Sequence, residues 1–175
     1  MQLLRVQPYV RSLEISQAMI EAGVAAIERF PEELAQTLSR LNAEQIATKT
    51  LPGKWTVSQV VHHTADSHMN AFIRCKLALT EDVPTIKPYE EADWAQRVDA
   101  GTETPARLSL ELLTALHGRW TKLLKSLQPD EWKRGYFHPG EKREFLLEEV
   151  VCLYAWHGRN HLAHIHELMQ AKGWG

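Results

Sequence analysis

The sequence has little cysteine and no long hydrophobic run. Its 175 residues include two cysteines, Cys75 and Cys152, which lie far apart in predicted helices. A structural disulfide is therefore not expected. No segment reaches the roughly 18 apolar residues of a membrane span, and the N-terminus lacks the apolar stretch of a secretory signal. These absences predict a cytoplasmic protein with no membrane partner.

An excess of charge of one sign is also missing. The chain has 20 Lys and Arg against 22 Asp and Glu, for a formal net charge of −2, and the two signs are interspersed. Without a basic stripe, the protein is not expected to bind nucleic acid. The length and a hydrophobic content of 44% suit one domain with a sizeable core. We therefore predict a single domain over residues 1–175.

Four segments carry apolar residues at helical spacing. The first runs from Ile20 to Leu41 and contains Pro31, where we expect a kink or a restart. The second begins at Thr56, whose hydroxyl can form a capping box with Gln59, and it runs to about Leu79. The third extends over roughly 105–127. The fourth extends over about 147–172, with Gly173 as its C-terminal cap.

The connections between these helices are uneven. About two dozen residues, 80–104, separate the second helix from the third, and connections of that length often have a function. The stretch 132–145 contains a Pro139-Gly140 turn that indicates a small β-hairpin. These patterns predict an all-α four-helix bundle. Long connections allow parallel neighbours, so an up-down-down-up order fits the sequence as well as a simple antiparallel one.

Three histidines share one face of the fourth predicted helix. His157, His161 and His164 follow one another at spacings of four and three, where a bundle helix would normally carry Leu or Ile. A single histidine on such a face is usually a core residue with one hydrogen bond. Three would each need partners for both ring nitrogens, whereas a divalent cation satisfies several lone pairs together. The cluster therefore indicates a metal site.

A catalytic metal site usually has three protein ligands and one open position. His157 and His161 can supply two of them. Three ligands on one straight helix would span about 10 Å, too far for bonds of about 2.1 Å to one ion. We therefore expect His164 to have a pocket or supporting role. His63 is the best third ligand, because it lies at the edge of a polar centre in the second predicted helix.

The same polar centre contains Asp66, Asn70 and Arg74. Asp66 lies one turn from His63, where its carboxylate can orient a metal-bound imidazole. A solvated helix acid is an equally good interpretation of Asp66. Asn70 and Arg74 lie further along the helix face and are expected to line a pocket.

Several motifs together resemble the YfiT branch of the DinB superfamily. They are the segment from Gly53 to Arg74, Lys87-Pro88-Tyr89, His117-Gly118-Arg119-Trp120, the segment 133–139, Trp156-His157, and His161-Leu162-Ala163-His164-Ile165. The resemblance covers most of the chain from about Phe30 onward. It implies a four-helix bundle, usually a homodimer, with nickel or zinc held by histidines that correspond to His63, His157 and His161. Members of this branch are named as metal-dependent hydrolases, an inferred activity. Close relatives are transferases that join a low-molecular-weight thiol such as bacillithiol to electrophiles.

These features predict a metal-dependent enzyme with one divalent ion per chain, in an up-down-down-up bundle. In the first hypothesis the ion holds a small thiol as thiolate, which attacks an electrophilic carbon. Asp66, Asn70, Arg74 and His164 are the predicted catalytic residues, and Arg74 pairs with a carboxylate of the thiol or acceptor. An internal acid is the alternative partner of Arg74.

Two other functions remain open on the sequence. A metal-dependent hydrolase would use the same three ligands and a metal-bound water, with Asp66 or His164 as base. A metal-binding module without enzymatic activity would need only the ligands.

Overall fold

The structure is a computed structural model that describes residues 8–12, 14–50 and 54–174. In this part of the chain the α-helices are α1 (Gln17–Leu38), α2 (Ala43–Ile46), α3 (Val57–Thr80), α4 (Glu91–Trp94), α5 (Ala106–Leu124) and α6 (Leu147–Lys172). The four long helices correspond to the four predicted ones and confirm the helical bundle. The predicted domain 1–175 also includes residues 1–7, 13, 51–53 and 175, which lie outside the described residues.

The predicted hairpin is present between α5 and α6. Strand β1 (Gly135–His138) pairs antiparallel with strand β2 (Arg143–Leu146). The backbone of Phe137 also hydrogen-bonds to the long connection, donating to the carbonyl of Pro84 and accepting from the N–H of Ile86. The hairpin therefore ties down the chain that crosses from α3 to α5.

The predicted helix ends are largely confirmed. Thr56 and Gln59 form the capping box of α3, and Gly173 ends α6 with a positive φ of 67°, which glycine adopts without strain. Helix α1, however, continues through Pro31 to Leu38, so the helix does not restart there, and a kink at Pro31, the other expectation, stays a prediction. Proline has no N–H to donate to the carbonyl of Ile27, four residues earlier. The side chain of His117 donates to that carbonyl instead.

Contacts between the long helices give their relative directions. Helices α1 and α6 are parallel, as three contacts show: Gly23 with Val151, Phe30 with Gly158, and Thr37 with His166. Helices α3 and α5 are also parallel: His62 contacts Ser109, His68 contacts His117, and Phe72 contacts Arg119. Helices α3 and α6 are antiparallel, because His63 contacts His161 while the later His68 contacts the earlier His157. The order is therefore up-down-down-up, as predicted.

The core fills the space between the four long helices. Fully buried side chains there include Leu113, Trp120, Val150 and Ile165. Among the described residues, none of the helices has both the length and the apolar character needed to cross a membrane.

Candidate metal centre

Helices α3 and α6 bring three histidines together inside the bundle. His63 of α3 and His157 and His161 of α6 each offer a ring nitrogen, and these atoms lie within 4.8 Å of one another. Nε2 of His161 is 3.2 Å from Nε2 of His157. Two nitrogens bound to one ion at about 2.0–2.1 Å in tetrahedral geometry would be roughly 3.3 Å apart. The observed spacing therefore suits two ligands of one divalent ion.

Burial keeps these imidazoles uncharged. Loss of hydration lowers the pKa of His63 from 6.5 to about 4 and that of His161 to about 3, with a further lowering by His63. The pKa of His157 is also well below its ordinary value, first through burial and then through its proximity to His161. Neutral imidazole is the form that binds a metal, so the site is ready for ligation at neutral pH.

In the described part of the chain, His63 and one nitrogen of His161 lack a hydrogen-bond partner. Nδ1 of His161 is buried without a hydrogen-bond partner among the described residues. Within the same part of the chain His63 makes ring contacts, including one of 4.5 Å to Trp55, but no hydrogen bond. Buried polar atoms normally find a partner. His63 has no protein partner among the described residues that a cation would have to displace, so the donor set fits a bound cation.

His157, by contrast, is supported by two further histidines. Its Nδ1 lies 3.1 Å from Nε2 of His68, and Nδ1 of His68 lies 2.8 Å from Nε2 of His117. Nδ1 of His117 then lies 2.6 Å from the carbonyl oxygen of Ile27. Sequence reasoning missed His68 and His117 as site residues. Their positions among apolar residues of α3 and α5 are the signal that would have identified them.

A cavity of about 500 Å³ opens beside the three histidines. It is lined by Thr50, Lys54, Trp55, Val60, Glu91, His161 and His164. Its volume lies in the range typical of small-molecule sites. The ring of His164 lies 5.8 Å from that of His161 and is not part of the three-histidine cluster. A pocket role for His164 fits this placement and stays a prediction.

The other predicted catalytic residues form no hydrogen bond to the three histidines within the described ranges. Asp66 is half-buried, and its pKa is raised to about 6 by burial and by the nearby Asp99. Among the described residues it makes no hydrogen bond to His63. Asn70 uses its side-chain amide to donate to the backbone carbonyl of Asp66. Among the described residues, neither Asp66 nor Asn70 forms a hydrogen bond to a candidate ligand, and their catalytic roles stay predictions.

Arg74 is buried and does not line the cavity. It follows His63 by eleven residues, which is about 16 Å of helix rise. Its guanidinium donates to the carbonyl of Lys87 at 3.3 Å and interacts with Tyr136. No carboxylate of the described residues forms an ion pair with it. An internal acidic partner, the alternative considered for Arg74 on the sequence, is therefore not found in this part of the chain.

The fold and this site define a helical-bundle protein with a candidate three-histidine metal centre. The chain belongs to the DinB superfamily, whose sequence profile matches residues 26–165. It is 45% identical over 160 residues to YfiT of Bacillus subtilis, covering 91% of this chain and 89% of that protein. A relative from Oceanobacillus iheyensis is 46% identical, with 92% of each chain covered. The names of both relatives describe a metal-dependent hydrolase, an activity inferred for them.

Solved structures give the same assignment. The YfiT structure from Bacillus subtilis superposes with a TM-score of 0.92 and 42% identity over 95% of each chain, and it is described as an unusual four-helix bundle. A mycothiol-dependent maleylpyruvate isomerase superposes with a TM-score of 0.66 at 15% identity, covering 83% of this chain and 60% of that one. At that identity the second likeness shows the fold alone.

Proposed function

We propose that the protein is a metal-dependent enzyme that activates a small thiol for transfer to an electrophile. His63, His157 and His161 would hold one divalent ion, nickel or zinc, both of which suit imidazole ligands. The observation that carries the proposal is a set of three uncharged ligands beside a cavity of about 500 Å³. The names of the close relatives also support metal dependence.

Neutral ligands favour an anionic co-ligand. An ion held by three imidazoles keeps its full positive charge, and when bound it would supply a Lewis acid that favours thiolate over thiol. The sulfur would form a bond to the electrophilic carbon, whose leaving group departs with the bonding electrons.

The cavity supplies groups that would bind the rest of the substrates. Lys54 offers a cation, Glu91 an anion and Trp55 an apolar wall. His164 would accept the thiol proton from within the cavity. Arg74 would bind a carboxylate only of a ligand long enough to extend along α3, where Asn70 lies one turn before it, whereas Asp66 would act one turn from His63.

Turnover of the metal-loaded protein tests the proposal. The assay combines several low-molecular-weight thiols with a generic alkylating acceptor, in parallel with ester and amide substrates. We expect thiol consumption that depends on metal and is lost in His157→Ala. The matched control is His62→Ala, because His62 is a buried histidine of α3 that hydrogen-bonds to Ser109 outside the cluster. Metal-loaded protein that consumes no thiol would contradict the proposal.

A metal-dependent hydrolase is the second candidate. The names of the relatives favour it, and Glu91 in the cavity offers a carboxylate base that the sequence analysis did not identify. Ester or amide hydrolysis that is lost in Glu91→Gln, without thiol transfer, would select this candidate. A homodimer and a cytoplasmic location stay predictions.

A further inference from the structure

The chain of hydrogen bonds behind His157 begins at a carbonyl that a proline leaves without its helical partner. In an α-helix the carbonyl of Ile27 would accept from the backbone N–H of residue 31. That residue is Pro31, which has no N–H. Nδ1 of His117 takes the place of the missing donor at 2.6 Å.

A carbonyl oxygen can only accept, so it sets the direction of every later bond. His117 must carry its proton on Nδ1 to donate to Ile27, which leaves Nε2 of a neutral ring as an acceptor. Nδ1 of His68 then donates to His117. Nε2 of His68 in turn accepts from Nδ1–H of His157. The result is a neutral His157 whose Nε2 carries a bare lone pair beside His161.

The opposite direction would need a charge that the surroundings do not support. If His117 donated from both nitrogens, it would be a buried imidazolium, and it is 1% exposed. No carboxylate among the described residues hydrogen-bonds to His117 or His68. Burying an unpaired charge is costly. The neutral arrangement, with all three protons on Nδ1, is therefore the stable one.

Aromatic side chains hold the chain of rings in place. The planes of His68 and His117 differ by only 7°, so the two rings are nearly parallel. Phe30 packs against both rings, with centroid distances of 5.4 Å and 5.7 Å. Trp120 meets both edge-on. Water has little access to these rings. Protein atoms therefore fix which nitrogen donates and which accepts in each hydrogen bond.

We propose that His68 and His117 are positioning residues that, anchored on the carbonyl of Ile27, hold His157 in the tautomer that presents Nε2 to the metal. This inference rests on the proposed metal site. Such supporting groups are usually carboxylates, carbonyls or water in direct contact with the ligand. Here a carbonyl acts through two neutral imidazoles, so this supporting series of residues adds no negative charge to the site.

Nitrogen NMR of the metal-free protein tests the arrangement directly. In protein labelled with ¹⁵N at histidine, we expect His68, His117 and His157 all to carry their proton on Nδ1. Protonation of Nε2 at His68 or His157 would overturn the inference. This readout does not depend on metal binding, so it separates failure of the supporting chain from failure of the proposed metal site.

Zinc affinity measured by chelator competition tests the role toward the metal. His117→Phe keeps an aromatic ring but removes both hydrogen bonds, and we expect zinc binding to weaken by about 10- to 100-fold. In His117→Gln the amide can still donate to Ile27 and accept from His68, so affinity should return toward the wild-type value. His62→Phe removes a buried histidine of α3 that is not hydrogen-bonded to His68, His117 or His157. It is the control for general disruption of the fold.

The outcomes are distinct. Loss of affinity in His117→Phe with recovery in His117→Gln supports the inference. Equal zinc affinity in wild type and His117→Phe overturns it while leaving the metal site standing. Absence of zinc binding in the wild type refutes the metal site and with it the role of His68 and His117 toward the metal, whereas the tautomers still decide the direction of the hydrogen bonds.

Discussion

Nε2 of His161 faces Nε2 of His157 across 3.2 Å, one helical turn away. In the metal-free protein one of these nitrogens must donate to the other, because two bare lone pairs at this distance repel each other. Since the hydrogen bond of His157 to His68 occupies its Nδ1 proton, the donor would have to be His161. A divalent ion between the two rings would replace this bond and accept both lone pairs, and the third would come from His63.

The first prediction concerns metal content. We expect about one equivalent of divalent metal per chain and a near-complete loss in His157→Ala, because the remaining two imidazoles no longer complete the three-ligand set. Elemental analysis of purified protein measures this. His62→Ala should retain the metal. Full metal content in His157→Ala would show that the ion binds elsewhere.

The second prediction concerns the pH dependence of stability of the metal-free protein. The folded-state pKa of both His63 and His117 is about 4, below the ordinary value of 6.5. The unfolded chain therefore takes up protons first as the pH falls, so the stability that these neutral rings contribute is present above about pH 6.5 and is lost between 6.5 and 4. Each ring contributes a slope of about 1.4 kcal/mol per pH unit in that window.

Urea unfolding in the presence of a chelator, repeated at several pH values, measures that slope. His117→Gln should reduce it by the share of one histidine, which makes this variant the internal control. A free energy of unfolding that stays constant from pH 6.5 to pH 4 would contradict the assignment of these rings as neutral.

The third prediction compares two helical glycines. A Cβ at Gly158 would lie 2.9 Å from the ring of Phe30, whereas a Cβ at Gly118 would meet nothing within 4 Å. Gly158→Ala should destabilise the protein by about 1–3 kcal/mol, because Phe30 must move against His68 and His117. Gly118→Ala should stabilise it by up to about 1 kcal/mol through helix propensity alone. Thermal unfolding that shifts equally for both variants would contradict the close packing at Gly158.

The fourth prediction concerns His164. It lines the cavity but lies outside the three-histidine cluster. His164→Gln should therefore retain the metal while turnover falls by about 100-fold, the usual effect of losing a general base. Metal analysis and turnover on the same sample separate the two effects. Loss of metal in this variant would make His164 a ligand.

The fifth prediction concerns the buried guanidinium. Arg74→Lys should leave metal content unchanged and raise the Michaelis constant for an anionic substrate, because lysine lacks the bidentate fork. Lys54→Gln tests the cation that lies in the cavity itself by the same assay. Kinetics of Arg74→Lys equal to wild type, with the metal retained, would remove Arg74 from the site and leave Lys54 as the anion-binding group.

The sequence by itself determined the long helices and much of the candidate site. Helical spacing, the Thr56 cap and Gly173 act within a few neighbouring residues, so their effects can be derived from the chain order. The pairing of His157 with His161 follows from one helical turn for the same reason. The choice of His63 as third ligand needed only the polar centre of one amphipathic helix.

Tertiary structure decided what depends on contacts between distant segments. The role of Pro31 is the clearest example, since its missing N–H matters only because His117, 86 residues later, reaches the carbonyl of Ile27. His68 resembles a core histidine until α5 and α6 supply its two partners. Arg74 shows the reverse: it shares a helix with His63, but about 16 Å of helix rise separates the two positions, and its guanidinium donates to the carbonyl of Lys87 instead. Helix periodicity fixes the direction in which each side chain points around its own helix axis. How closely different helices approach one another depends on the packing of the whole core.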